Sequence, residues 1–236
     1  MPEDAGMSGA RIDDGARVGR GGRNADPRSW HALALGVSLC FTGFILWHFH
    51  DRTWWPPDDG VYGYVAQRIL AGDVLNGNLR DLHAGYVNFL HAAALWLFGE
   101  DLVALRYPLV LLTLLQSALA FLLLRERGAA YAAAGAVAAA ALSFVLFVNP
   151  SANWYAQVIA ISAIAVLAGM PSGDARREIA LGVLVMAAFL FRQLSGVFLG
   201  IGVLTWLLME PRMSATGSKL VARSLALIMA LGLVGY

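Results

Sequence analysis

The chain has 236 residues, of which 58% are hydrophobic and only 14% charged, with a mean hydropathy of +0.62 and a net charge of +1. This composition excludes a soluble globular domain and a nucleic-acid-binding surface, and marks an integral membrane protein in which the position of each charge matters more than the sum. Cys40 is the one cysteine, which excludes a disulfide framework and a thiolate metal cluster.

Residues 1–29 are rich in Gly, Arg and Asp, with Arg11, Arg17, Arg20, Arg23 and Arg28 and almost no bulky apolar side chains. They are expected to form a disordered cytoplasmic tail, because they cannot bury enough surface to order themselves. The transmembrane module is expected over 30–236. Its first apolar run, 30–49, has the ~20 residues that cross ~30 Å of hydrocarbon. No Ala-x-Ala cleavage pattern follows it, so it reads as a retained anchor whose arginine-rich N-terminal side stays in the cytoplasm.

An outer loop, 50–101, comes next. It opens with Trp54-Trp55-Pro56-Pro57-Asp58-Asp59-Gly60, a carboxylate pair at a membrane surface. A bilayer-embedded fold has little structural use for acids there, so the pair points to chemistry. The other reading is a turn with a helix cap: Asp59 is placed to cap a short helix from 61 to 71 ended by Gly72-Asp73. Tyr62, Val65 and Ile69 at helical spacing would lay that helix on the membrane.

Further apolar segments run over 82–98, 102–124, 129–148, 154–169, 179–191, 194–209 and 222–236. If all of them crossed, Arg125/Arg127 and Arg176/Arg177 would fall outside, against the positive-inside rule. The conflict disappears if 82–98, only 17 residues long and holding His83, Asn88 and His91, lies at the outer interface. The apolar stretch 179–209 is 31 residues long and is interrupted by Arg192-Gln193. As one helix it would reach about 46 Å, so two short helices meeting at an outward-facing turn are expected. The result is an all-α protein of about seven spans. Its topology gathers Asp58, Asp59, Arg68, Arg80, His83, Arg106, Asn153, Arg192 and Gln193 at the outer surface.

Pro57-Asp58-Asp59-Gly60, Tyr64, Ala66, Ile69-Leu70-Ala71-Gly72, Arg80-Asp81, His83, the apolar helix to Leu97-Phe98-Gly99, and Ala104-Leu105-Arg106 together resemble the first outer loop of the GT-C superfamily of membrane glycosyltransferases. The protein O-mannosyltransferases and lipid A aminoarabinose transferases are the nearest in pattern. The resemblance is specific over 54–127. It departs at Asp58-Asp59, where the family often has Asp-Glu, and at His83-Ala84-Gly85, where prolines are usual. It implies a bacterial inner-membrane enzyme, N-terminus cytoplasmic and active face periplasmic, that takes sugar from a polyprenyl-phosphate donor to an acceptor lipid, glycan or protein. It also implies spans and an outer C-terminal region beyond Tyr236, which a partner chain could supply.

Such transfer needs a base for the acceptor proton and positive charge for the departing phosphate. Asp58 is the candidate base of an inverting single displacement. Asp59 could orient it, pair with an arginine, or hold a divalent cation through its oxygens. His83, Arg106 and Arg192 are the candidates for the donor phosphate, with arginine favoured for its fork. Asn153 and Gln193 could hydrogen-bond sugar hydroxyls. Tyr64 is a candidate for sugar or acceptor contact, although Trp54, Trp55, Trp154, Tyr62, Tyr64 and Tyr155 also suit an interfacial aromatic belt. Arg106 could equally be a snorkelling arginine at a helix start, and Arg192-Gln193 a solvated turn. The competing functional classes are a transporter subunit, which would carry ionisable groups near the midplane, and a non-catalytic membrane fragment.

Overall fold

A computed structural model describes residues 27–52, 56–81, 85–144 and 149–209 of the chain. The expected tail, Trp54 and Trp55, His83 and the apolar segment 222–236 lie outside the described residues. Among the described residues eight α-helices follow one another: α1 (Pro27–Phe49), α2 (Pro56–Leu70), α3 (Val87–Phe98), α4 (Tyr107–Leu124), α5 (Ala129–Phe144), α6 (Ala152–Gly169), α7 (Ala175–Phe191) and α8 (Gln193–Met209). A 3-10 turn, Leu102–Arg106, leads into α4, and another, Arg125–Arg127, leaves it.

Among the described residues three helices are long and apolar enough to cross a membrane: Ser29–Phe49, Leu102–Arg127 and Ala152–Gly169. The sequence reading expects six crossings over the same stretch. Of the other three, α7 has 17 residues and rises about 26 Å, short of the ~30 Å core, while α5 and α8 are described up to Phe144 and Met209. α3, at 12 residues, is shorter still, in keeping with an interfacial helix. Along α1, Trp30, Leu33, Val37, Phe41, Phe44 and Trp47 form an exposed apolar stripe, the arrangement of a helix that meets hydrocarbon rather than water.

The bundle is held by neighbours in space: α1 packs on α4 and α5, α4 on α5 and α6, α6 on α7, and α7 on α8. Ala132, Ala136 and Ala140 are buried on α5. With no large side chains between them the backbones come close, so that Ser117 donates to the Ala136 carbonyl at 2.9 Å and Gln116 to that of Ala139 at 3.1 Å. The start of α1 meets the end of α4 where His31 lies 3.1 Å from the Arg125 carbonyl oxygen. The end of α6 meets the start of α7 where Arg177 donates to the Leu167 carbonyl. These contacts define one end of the bundle. The opposite end holds α2, the turn before α6 and the α7–α8 break.

Two expectations about α2 are corrected. The helix starts at Pro56, not at 61, because proline has its φ already set and no amide hydrogen to leave unbonded in the first turn. Asp58 and Asp59 are therefore inside that first turn. The residues expected on lipid face protein instead: Tyr62 and Ile69 pack with Ala66 against Ala92, Leu95, Ala104 and Leu105 of α3 and the following 3-10 turn, and Val65 is buried beside them. The helix ends as expected, with Gly72 at a φ of 95° and the Asp73 amide bonded back to the Arg68 carbonyl. The break between α7 and α8 falls at Arg192, in extended conformation. Gly196 makes that break tight, since a Cβ there would stand 2.3 Å from the Phe189 Cα.

Candidate functional site

Neighbours on a helix point about 100° apart, so Asp58 and Asp59 cannot serve the same place. Asp59 faces α4. Its Oδ2 accepts from Nη2 of Arg106 at 3.0 Å, with the two side chains 1% and 0% exposed. Arg106 also donates from Nη1 to the His50 carbonyl at 2.9 Å, which ties the end of α1 and the start of α4 to the first turn of α2. Fully buried ions need such compensation, and the pair acts as a strut between three elements.

Asp58 faces the other way. Asn149 donates from Nδ2 to its Oδ2 at 2.8 Å, orienting the carboxylate from the turn before α6. It lines an open cleft of about 340 Å³ with Val61, Tyr62, Val65, Arg80, Asp81, Ser151, Ala152, Asn153 and Arg192. Four sources contribute: α2, the loop before α3, the N-terminus of α6 and the α7–α8 break. Ser151 caps α6, accepting from the Asn153 amide at 3.1 Å, so the positive end of an 18-residue helix opens onto the cleft. Asn88, buried at the start of α3, donates to Asp81 at 2.5 Å and fixes that carboxylate as Asn149 fixes Asp58.

Of the candidates read from sequence, Asp58, Asn153 and Arg192 come together on this cleft, joined by Arg80 from the wider outer set. Arg106 does not: it stands behind the wall, committed to Asp59 and His50. Tyr64 is 59% exposed on the side of α2 turned away from the cleft wall. Gln193 is half-buried beside Arg192 but outside the lining, and Arg68 pairs with Asp73 at the far end of α2. His83 is outside the described residues.

The sequence reading missed Tyr62, Asp81, Ser151 and Asn149. Tyr62 had a signal, since it lies four residues after Asp58 and so on the same helical face. Burial, with help from Asp58 and Asp81, raises its hydroxyl pKa, while a backbone hydrogen bond from Ala152 and the Arg192 charge oppose the shift. The phenol therefore stays a proton donor. Its ring stands edge-on to His91, which is fully buried and whose pKa burial lowers to about 3, keeping it neutral.

A divalent cation at Asp59 does not fit this arrangement, because the Asp59 carboxylate is buried and occupied by Arg106. Among the described residues no group of three or more His, Cys, Asp or Glu side chains converges as a metal site. What the cleft can do is hold an anion against Arg192, Arg80 and the α6 N-terminus, while Asp58 accepts a proton from a group beside it. Comparisons with protein-family models, curated proteins and solved structures find no match to the chain.

Proposed function

We propose that this protein is a membrane glycosyltransferase of the GT-C type, moving a sugar from a polyprenyl-phosphate donor to an acceptor at the outer face of the membrane. The observation that carries the reading is the opposition, across one cleft at a helix-bundle end, of an oriented carboxylate, Asp58, and a half-buried guanidinium, Arg192. A donor phosphate fits the cationic side. Arg192 and Arg80 meet its oxygens, and the α6 N-terminus adds the field of its amides. The polyprenyl chain lies against apolar helix surface, and Asn153 reaches sugar hydroxyls.

In the displacement the acceptor oxygen attacks the anomeric carbon as Asp58 takes its proton. The bond from that carbon to the phosphate oxygen breaks on the opposite side, the electron pair leaves with the phosphate, and the configuration inverts. Arg192 and Arg80 stabilise the charge that the phosphate gains. Arg106 and Asp59 touch nothing that reacts; their work is to hold α2 so that Asp58 faces the cleft. The ionisable groups sit at helix ends rather than at midplane depth in the spans, which favours a surface reaction over a transport path.

The test is transfer of labelled sugar from polyprenyl-phosphate donors by membranes holding the full chain, beside matched membranes holding Asp58→Asn. Loss of a base lowers the rate by about 10²–10⁴-fold. Undiminished transfer by Asp58→Asn would remove Asp58 from the chemistry, and no transfer by either protein would remove the glycosyltransferase reading.

A further inference from the structure

Behind the cleft runs an unbroken series of ring contacts. Tyr62 of α2 meets His91 of α3 edge-on, with centroids 5.2 Å apart at 70°. His91 meets Tyr155 of α6 at 5.8 Å and 68°, and Tyr155 meets Phe191 of α7 at 5.5 Å and 82°. All three are edge-to-face pairs, the geometry that ring quadrupoles favour. The series begins on a cleft-lining residue four positions from Asp58 and ends on the residue before Arg192.

His91 is the second of these four rings and the odd choice for its place. It is 0% exposed, and both ring nitrogens are without a hydrogen-bond partner. An imidazole buried this way forgoes its hydration and gains no polar contact in return. Its contribution at this position is a flat, rigid ring of fixed thickness between two tyrosines.

We propose that His91 is a positioning residue whose ring sets the separation between α2, which carries Asp58, and the α7–α8 break, which carries Arg192. With α2 pinned on its other side by Asp59 and Arg106, and joined to the start of α6 by the Asn149–Asp58 bond and the Ala152 contact of Tyr62, the ring series carries the spacing on to the α7–α8 break. The kinetic consequence rests on the reading of this cleft as the transfer site; the distance itself does not. If base and phosphate-binding cation drift apart by an ångström, the reacting atoms lose their alignment and the chemical step slows by about 10- to 100-fold, while donor binding through Arg192 alone is largely kept.

The experiment uses the full chain in lipid nanodiscs with Cys40→Ser and spin labels at Gln67→Cys on α2 and Leu194→Cys on α8, both exposed positions. The distance distribution is recorded for His91 and for His91→Ala, His91→Leu and His91→Phe, with kcat and KM for transfer measured on the unlabelled variants. The expected result is a broadened or shifted distribution in Ala and Leu and the original narrow one in Phe. kcat should fall about 10- to 100-fold in Ala and Leu with KM within about threefold, and Phe should restore it. If Ala does not fold, Leu carries the same comparison. An unchanged distribution in Ala and Leu overturns the proposal, as does a Phe variant as broad as Ala. A broadened distribution in a protein that transfers no sugar upholds the positioning role and overturns the transferase reading instead.

Discussion

Arginine is common at both ends of the bundle and does different work at each. At the end where α4 runs into α5 and α6 into α7, Arg125 and Arg127 on the 3-10 turn and Arg176 in the first turn of α7 are exposed, while Arg177 beside them is buried and donates to the Leu167 carbonyl. The exposed three serve as charge in bulk, the kind that orients a membrane protein and tolerates rearrangement. At the cleft end each arginine has an address: Arg106 is sealed against Asp59 and His50, Arg192 is half-buried at a helix break, and Arg80 stands at the rim. Three of the four arginines named at the first end are exposed, whereas at the other end Arg106 and Arg192 are drawn into the protein around the cleft.

Breaking this contrast should cost most at its best-buried point. Arg106→Met leaves the Asp59 carboxylate buried without its cation, and about 3–5 kcal/mol of stability should be lost. Adding Asp59→Leu should recover most of it, because replacing both buried ions by apolar groups is far cheaper than orphaning one. Unfolding in detergent micelles measures both; a single variant within about 1 kcal/mol of the parent would mean that the pair is not a strut.

His91 sharpens the comparison through pH. Its folded pKa is lowered from 6.5 to about 3 by burial, so between those values the unfolded chain binds a proton that the folded chain does not. Stability from this group is complete above pH 6.5 and is lost as pH falls through the window. His91→Phe should flatten that part of the profile, seen as a smaller drop in unfolding midpoint between pH 7.5 and about 5. An equal drop in both proteins would assign the acid sensitivity elsewhere. The smallest effect belongs to the other end: Arg125→Gln with Arg176→Gln should change stability by less than about 0.5 kcal/mol.

Much of the scaffold was legible because it follows from local rules. The interruption of 179–209 at Arg192 and the stop at Gly72 depend on length and φ, which a sequence carries openly. The division of labour within Asp58-Asp59 was not legible. A helix points the two carboxylates apart, but which one meets Arg106 is decided by where α4 docks, 47 residues away. The same holds for Asp81, whose role depends on Asn88 and on the loop that brings it under α6. Of the expected crossings, the one over 179–191 falls short because α7 is bounded by the turn before it and the break at Arg192.

The partners of the two aspartates are separated very differently along the chain. Asp59 and Arg106 are 47 residues apart, whereas Asp58 and Asn149 are 91 apart. A nascent chain emerges from its N-terminus, so the strut can close once α4 has left the ribosome, and the carboxylate can be oriented only after the turn before α6 has followed. α2 is thus moored before its Asp58 carboxylate is oriented, and a synthesis that stalls within α5 leaves a chain that has the first of these contacts but not the second.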